Sequence, residues 1–181
     1  MSYIKRDFSD LYNIFIVFAQ TKQGKTIIDY KKGMVINMEN QDTIHLLKEC
    51  DAGTKMGVTS IDEVLENVRN SELKQLLSKS KEHHETLGNE IHSLLMEYHS
   101  EEKDPNAMAK GMSWLKTNMK MSMDNSDATV ADLITDGCNM GIKSLYRYLN
   151  QYPTADKKVK DICEKLIKIE EELLRDLRGY L

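Results

Sequence analysis

Only two prolines occur in the 181 residues, and each stands where a helical pattern stops. Pro105 follows the charged stretch 101–104, and Pro153 follows residues 150–152. Because proline within a helix removes a hydrogen bond and clashes with the preceding turn, the long stretches without proline are free to form helices. Aromatic residues make up 7% of the chain and glycines number 9, a composition that disfavours a turn-rich β-protein. The fold is therefore predicted to be all-α.

Apolar side chains recur at three- and four-residue steps in four stretches, the spacing of one face of a helix. The predicted helices span about residues 42–68, 71–100, 126–152 and 154–181. Asn70-Ser71 and Ser126 supply the capping side chains that begin the second and third helices. Short connections predict two antiparallel hairpins, 42–100 and 126–181, and the stretch 101–125 becomes a long crossover, at least partly helical. The sequence therefore predicts an antiparallel four-helix bundle over residues 41–181.

Two nine-residue segments, 53–61 and 137–145, are alike at a constant offset of 84 residues. They read Gly-Thr-Lys-Met-Gly-Val-Thr-Ser-Ile and Gly-Cys-Asn-Met-Gly-Ile-Lys-Ser-Leu, with four identical positions and two exchanges of one aliphatic residue for another. The two hairpins are thus predicted to be an internal repeat. Because glycine disfavours a helix interior, each glycine pair is expected to permit close approach, either between the hairpins or with a second copy of the chain.

The opening of the first hairpin, from Leu47-Lys48-Glu49-Cys50 to Gly53, has a counterpart at Asp136-Gly137, and residues 111–116 read Gly-Met-Ser-Trp-Leu-Lys. In these features the stretch 42–181 resembles the ferritin-like superfamily, and most closely its small bacterial four-helix-bundle proteins of unknown function. The resemblance implies a bundle of ferritin-like type. Di-iron members of that superfamily use Glu-x-x-His pairs, and none occurs in this sequence. Ferroxidase chemistry is therefore not expected.

Four polar residues interrupt the apolar stripes, one in each helix: Thr54, His84, Cys138 and Glu170. Reflection of each hairpin about its turn places all four in one layer, and the repeat aligns Thr54 with Cys138 and His84 with Glu170. One interpretation is a hydrogen-bonded polar layer that fixes helix register, with His84 paired to Glu170. The other is a mononuclear site in which His84, Cys138 and Glu170 bind zinc or iron, completed by Thr54 or water.

Residues 1–40 lie outside the bundle and the resemblance, and are interpreted as an N-terminal appendage. Leu11, Ile14, Phe15 and Phe18 would suit a short helix, whereas residues 26–30 would suit a strand. One hypothesis is that the natural start is Met34 or Met38.

The crossover 101–125 contains a basic, methionine-rich segment with Trp114. Its amphipathic stripe consists of Met108, Met112, Leu115 and Met119. Such a stripe covers a bundle or docks a protein partner, and copper binding or a membrane-surface helix are further alternatives.

The net charge, the apolar runs, the cysteines and the absence of known motifs exclude several classes of function. A net charge of −4 gives no reason to expect nucleic acid, and the apolar run 14–19 is too short for a transmembrane segment. Three widely spaced cysteines predict reduced thiols and a cytoplasmic location. Nucleotide-binding, hydrolase and zincin motifs are absent from the sequence. These observations favour a non-enzymatic, self-associating bundle, such as a homodimer, with a structural or partner-binding role; the alternative is a metal-binding or redox protein that uses the polar layer.

Overall fold

The computed structural model describes the backbone of residues 16–21, 24–29, 34–37 and 39–40, and residues 41–100 and 126–181 with their side chains. The predicted crossover, with its methionine-rich stripe, lies outside the described residues. So do residues 11–15 of the helix that was considered for the N-terminal segment.

A three-stranded antiparallel sheet precedes the helices. Its strands are β1 Ile16–Thr21, β2 Gly24–Asp29 and β3 Met34–Asn37, in the order β1-β2-β3. Of the strand considered at residues 26–30, residues 26–29 lie in β2, and residue 30 lies outside the described residues. The helix considered around Phe18 is wrong, because Phe18 lies in β1 and pairs with Ile27. The apolar and β-branched residues of both segments favour this pairing. The all-α prediction therefore holds for the helical part of the chain but not for the segment that forms the sheet.

The four predicted helices are present. They are α1 Glu39–Leu65, α2 Ser71–Glu97, α3 Asp127–Gln151 and α4 Lys157–Leu177, and a 3-10 turn, Arg178–Tyr180, follows α4. The predicted caps are confirmed: the Asn70 side chain accepts from two backbone N–H groups of α2, and the Ser126 side chain accepts from one of α3. These caps satisfy N–H groups that have no partner within the helix.

The start of α4 lies later than predicted, at Lys157 instead of Thr154. The backbone N–H and the hydroxyl of Thr154 both donate to the Asp42 carboxylate on α1. Nearby, the backbone N–H of Asp156 donates to the Thr43 hydroxyl at 2.9 Å. These hydrogen bonds hold residues 154–156 against α1, so this segment is an ordered connection and α4 begins only after it.

Helix α1 packs against the other three helices, and α4 also packs against α2 and α3. The core between them consists of two apolar clusters. Along α2 the change from one cluster to the other falls between Leu77 and Leu87, and along α4 between Ile167 and Leu173. Three buried polar side chains lie in these gaps, Ser80, His84 and Glu170, and the last two mark the level of the candidate site. Among the described helices, none is both long enough and apolar enough to cross a membrane.

Candidate functional site

The two polar side chains at the middle of the core are His84 from α2 and Glu170 from α4. His84 Nε2 lies 3.1 Å from Glu170 Oε1. His84 Nδ1 donates to the carbonyl oxygen of Ser80, one turn earlier in α2, at 2.8 Å. Burial disfavours the charged imidazolium, but the hydrogen bond to Glu170 and the charge of that carboxylate outweigh it, so the pKa of His84 is raised. The pairing predicted from helical spacing is therefore present as a charge-assisted contact inside the bundle.

Gly57 of α1 makes room for the imidazole. A Cβ atom at position 57 would lie 2.6 Å from His84 Cδ2 and 2.8 Å from His84 Nε2, closer than non-bonded atoms approach. Gly141 of α3 stands in the same position relative to Glu170, with a Cβ position 3.6 Å from Oε1, which is an ordinary contact distance. The second glycine of each repeated segment therefore faces the inward polar residue of the neighbouring helix in its own predicted hairpin.

Cys138 of α3 is buried beside the same carboxylate. Burial raises the pKa of its thiol, and the charge of Glu170 and a hydrogen bond to it act in the same direction. The group is therefore a neutral thiol at neutral pH, and a neutral thiol is a poor nucleophile.

Thr54, the fourth residue of the predicted layer, forms its hydrogen bond within its own helix. Its hydroxyl donates to the carbonyl oxygen of Asp51 within α1 at 2.9 Å, and it lies against Gly88 of α2. The structure thus brings His84, Glu170 and Cys138 together and places Thr54 beside them in the helix interface. Within the described ranges, no group of three or more His, Cys, Asp and Glu side chains is arranged to hold a metal ion.

A cavity of about 540 Å³ opens next to this cluster. Its walls are formed mainly by α1 and α3, and His84, Glu170 and Cys138 all line it, whereas Thr54 is not among the described residues that do. The four positions that are identical in the two repeated segments line the cavity in both copies. These positions are Gly53 and Gly137, Met56 and Met140, Gly57 and Gly141, and Ser60 and Ser144. The same four residue types, at matching positions of the repeat, therefore line the cavity on α1 and again on α3.

The prediction from sequence found the polar layer but not this cavity. The signal was present in the repeat, because its identical residues occur at steps of three, four and seven, which is one face of a helix. Three of the four are glycine or serine, so two such faces opposite one another leave a gap between their helices.

No protein-family model, curated protein or solved structure matches the chain, so the chemistry of the site is interpreted from its own geometry.

Proposed function

We propose that this chain is a non-enzymatic binding protein that takes a small molecule into the cavity between α1 and α3. The observation that carries the proposal is that all four identical positions of the repeated segments line this one cavity. Its volume lies within the range of about 300–1,000 Å³ that is common for small-molecule sites. A largely apolar lining with a few convergent polar groups is also typical of such sites. The neutral Cys138 thiol supports a binding role over a nucleophilic one.

The experiment uses diphenylhexatriene, a neutral rod-shaped dye that fluoresces in apolar surroundings. We expect saturable uptake by the purified full chain and its loss in Gly137→Leu. Position 137 lines the cavity, and a Cβ atom there meets nothing within 4 Å, so the leucine can enter the cavity without a clash at its Cβ. Asn139→Leu is the matched control, because it adds the same side chain to an exposed position of α3. Equal uptake by both variants would contradict the proposal.

We also propose that the bundle is antiparallel and of the ferritin-like type, with the two hairpins as an internal repeat. The order of contacts along the chain supports the antiparallel orientation, because the residue numbers of successive partners rise on one helix as they fall on the other. The contact pairs are Gly57–His84 and Asp62–Lys81 in the first hairpin, and Gly141–Glu170 and Leu145–Cys163 in the second. The matching positions of Gly57 and Gly141 support the repeat. Spin labels at both ends of α1 and α2 would test the orientation by their pairwise distances.

The alternative of a metal-binding or redox protein stays a prediction. Metal analysis of protein purified without chelator tests it: a stoichiometric zinc or iron ion that is lost in both His84→Ala and Glu170→Ala would favour it over the binding protein proposed here. A homodimer and a cytoplasmic location also remain proposals. Sedimentation of the purified chain tests the first, and cell fractionation tests the second.

A further inference from the structure

We infer that the ligand of this cavity is an elongated aliphatic amine, with its ammonium group held at Glu170 and its chain lying between α1 and α3. This inference rests on the proposed binding function and adds the chemical class of the ligand to it.

The charges that face the cavity favour a cation. Glu49 and Glu170 line it, and among the described lining residues neither lysine nor arginine occurs. A carboxylate or phosphate ligand would therefore meet two acidic side chains, and among the lining residues that the structure describes only the His84 imidazole could balance them. Since a buried charge is tolerated only when it is paired, an anionic ligand is disfavoured and an ammonium ligand is favoured.

Glu170, and not its histidine partner, is the group that a ligand can reach. The Glu170 side chain keeps 12% of its surface accessible, whereas His84 keeps 1%. Gly141 has no side chain to cover the carboxylate on the side of α3. By contrast, the His84 ring lies directly against Gly57 and is closed off on the side of α1. The donor group of the ligand is therefore expected to bind at the carboxylate.

The shape of the cavity favours a chain-like ligand. Its lining on α1 runs from Glu49 to Ile61, which corresponds to about 18 Å along a helix. A cavity of about 540 Å³ spread over that length is a narrow slot. Met56 and Met140 contribute flexible thioether side chains, one from each wall, and such side chains adapt to an apolar chain.

The test displaces diphenylhexatriene from the full chain at pH 7.5 with three molecules of equal chain length: octylamine, octanol and octanoate. We expect octylamine to displace the dye at a concentration about tenfold or more below that of octanol, because a hydrogen bond between charged groups is stronger than one between neutral groups. Octanoate is expected to be the weakest. In Glu170→Gln the advantage of octylamine over octanol should disappear, whereas in Glu49→Gln, the other carboxylate of the lining, it should persist.

Glu170→Gln is suited to this purpose because its amide can donate to Nε2 of a neutral His84, so the helix contact survives. Uptake of the dye by this variant verifies that the cavity is intact. Should octanol match octylamine in the unaltered chain, or should Glu170→Gln keep the preference for the amine, the amine assignment is wrong while the binding function stands. If neither the dye nor any of the three molecules binds, the proposed function itself fails and this inference fails with it.

Discussion

The contact between Gly57 and His84 makes one stability prediction unusually specific. Replacing a helical glycine with alanine stabilises a helix by about 0.8–1 kcal/mol where nothing obstructs the new methyl group. Gly57, Gly137 and Gly141 are all within helices and all line the same cavity, so they form a matched series. The substitution is chemically identical at each, and only the neighbour of the new methyl group differs.

At Gly137 the new Cβ atom meets nothing within 4 Å, so Gly137→Ala is expected to raise the free energy of unfolding by about 1 kcal/mol. At Gly57 the Cβ atom would lie 2.6 Å from a ring atom of His84. The ring cannot turn aside freely, because both of its nitrogens are bound, to Ser80 and to Glu170. Overpacking costs about 1–3 kcal/mol, and breaking a hydrogen bond to a charged group costs about 1.5–3 kcal/mol.

When the gain in helix propensity of about 1 kcal/mol is subtracted from the sum of these two costs, Gly57→Ala is expected to destabilise the fold by about 1.5–5 kcal/mol. The two alanine variants should therefore differ by about 2.5–6 kcal/mol, with opposite signs relative to the unaltered chain. Gly141→Ala should follow Gly137→Ala, because its Cβ atom would make an ordinary contact with Glu170.

Equilibrium unfolding in urea measures the change in the free energy of unfolding for each of the three alanine variants. Repeating the Gly57→Ala measurement in a His84→Ala chain identifies the cause of its effect. In a His84→Ala chain the obstructing ring is gone, so Gly57→Ala should become stabilising by about 1 kcal/mol, as it is at position 137. A Gly57→Ala variant as stable as Gly137→Ala in the unaltered chain would refute the reasoning. So would a Gly57→Ala effect that does not change when His84 is removed.

Three further predictions concern stability. The pKa of His84 is raised in the folded state, so its contribution to stability is complete below the unfolded pKa of about 6.5 and is lost as pH rises through the folded pKa. In urea unfolding, the difference in stability between the unaltered chain and Glu170→Gln should therefore shrink between pH 6 and pH 9. Asn70→Ala should lower the free energy of unfolding by about 0.5–2 kcal/mol, since its side chain caps two backbone N–H groups of α2, and faster amide exchange at the start of α2 would accompany it. Leu77→Ala should cost about 2–5 kcal/mol by urea unfolding, because this side chain is fully buried and its removal leaves a void.

Helical spacing and capping chemistry predicted most of the bundle because both act over a few residues. Asn70 and Ser126 cap the helices that they were expected to cap, since each bonds to N–H groups within the next three residues. The start of α4 could not be obtained in that way. Thr154 is a good capping residue by type, but Asp42, 112 positions away in the chain, takes its hydrogen bonds. A local pattern carries no information about such a partner.

In the candidate site, too, local sequence pattern predicted some features, whereas others depend on residues that are distant in the chain. His84 and Glu170 could be identified because a polar residue in an apolar stripe must point inward, and two such residues at one depth are natural partners. The cavity could not be obtained from the periodicity, which shows the face that turns inward but not how far apart two facing helices stand. Nor could the role of Gly57, because only the position of the imidazole ring shows that a methyl group has no space there.

The cavity also distinguishes a binding role from the interpretation of the polar layer as one that only fixes helix register. A layer that only fixes helix register needs the His84–Glu170 pair and good packing around it, and it does not need a glycine at position 137, where a Cβ atom would meet nothing within 4 Å. A binding role instead requires that this volume stay open. Gly137→Leu should therefore raise the free energy of unfolding by at least the helix-propensity gain of about 0.8 kcal/mol while abolishing uptake of diphenylhexatriene, the opposition of stability and function that is expected at a binding site. Urea unfolding and dye binding on the same preparation measure both quantities. A variant that is more stable and still takes up the dye would show that uptake does not depend on this volume, and the reasoning that assigns a binding role to the cavity would be wrong.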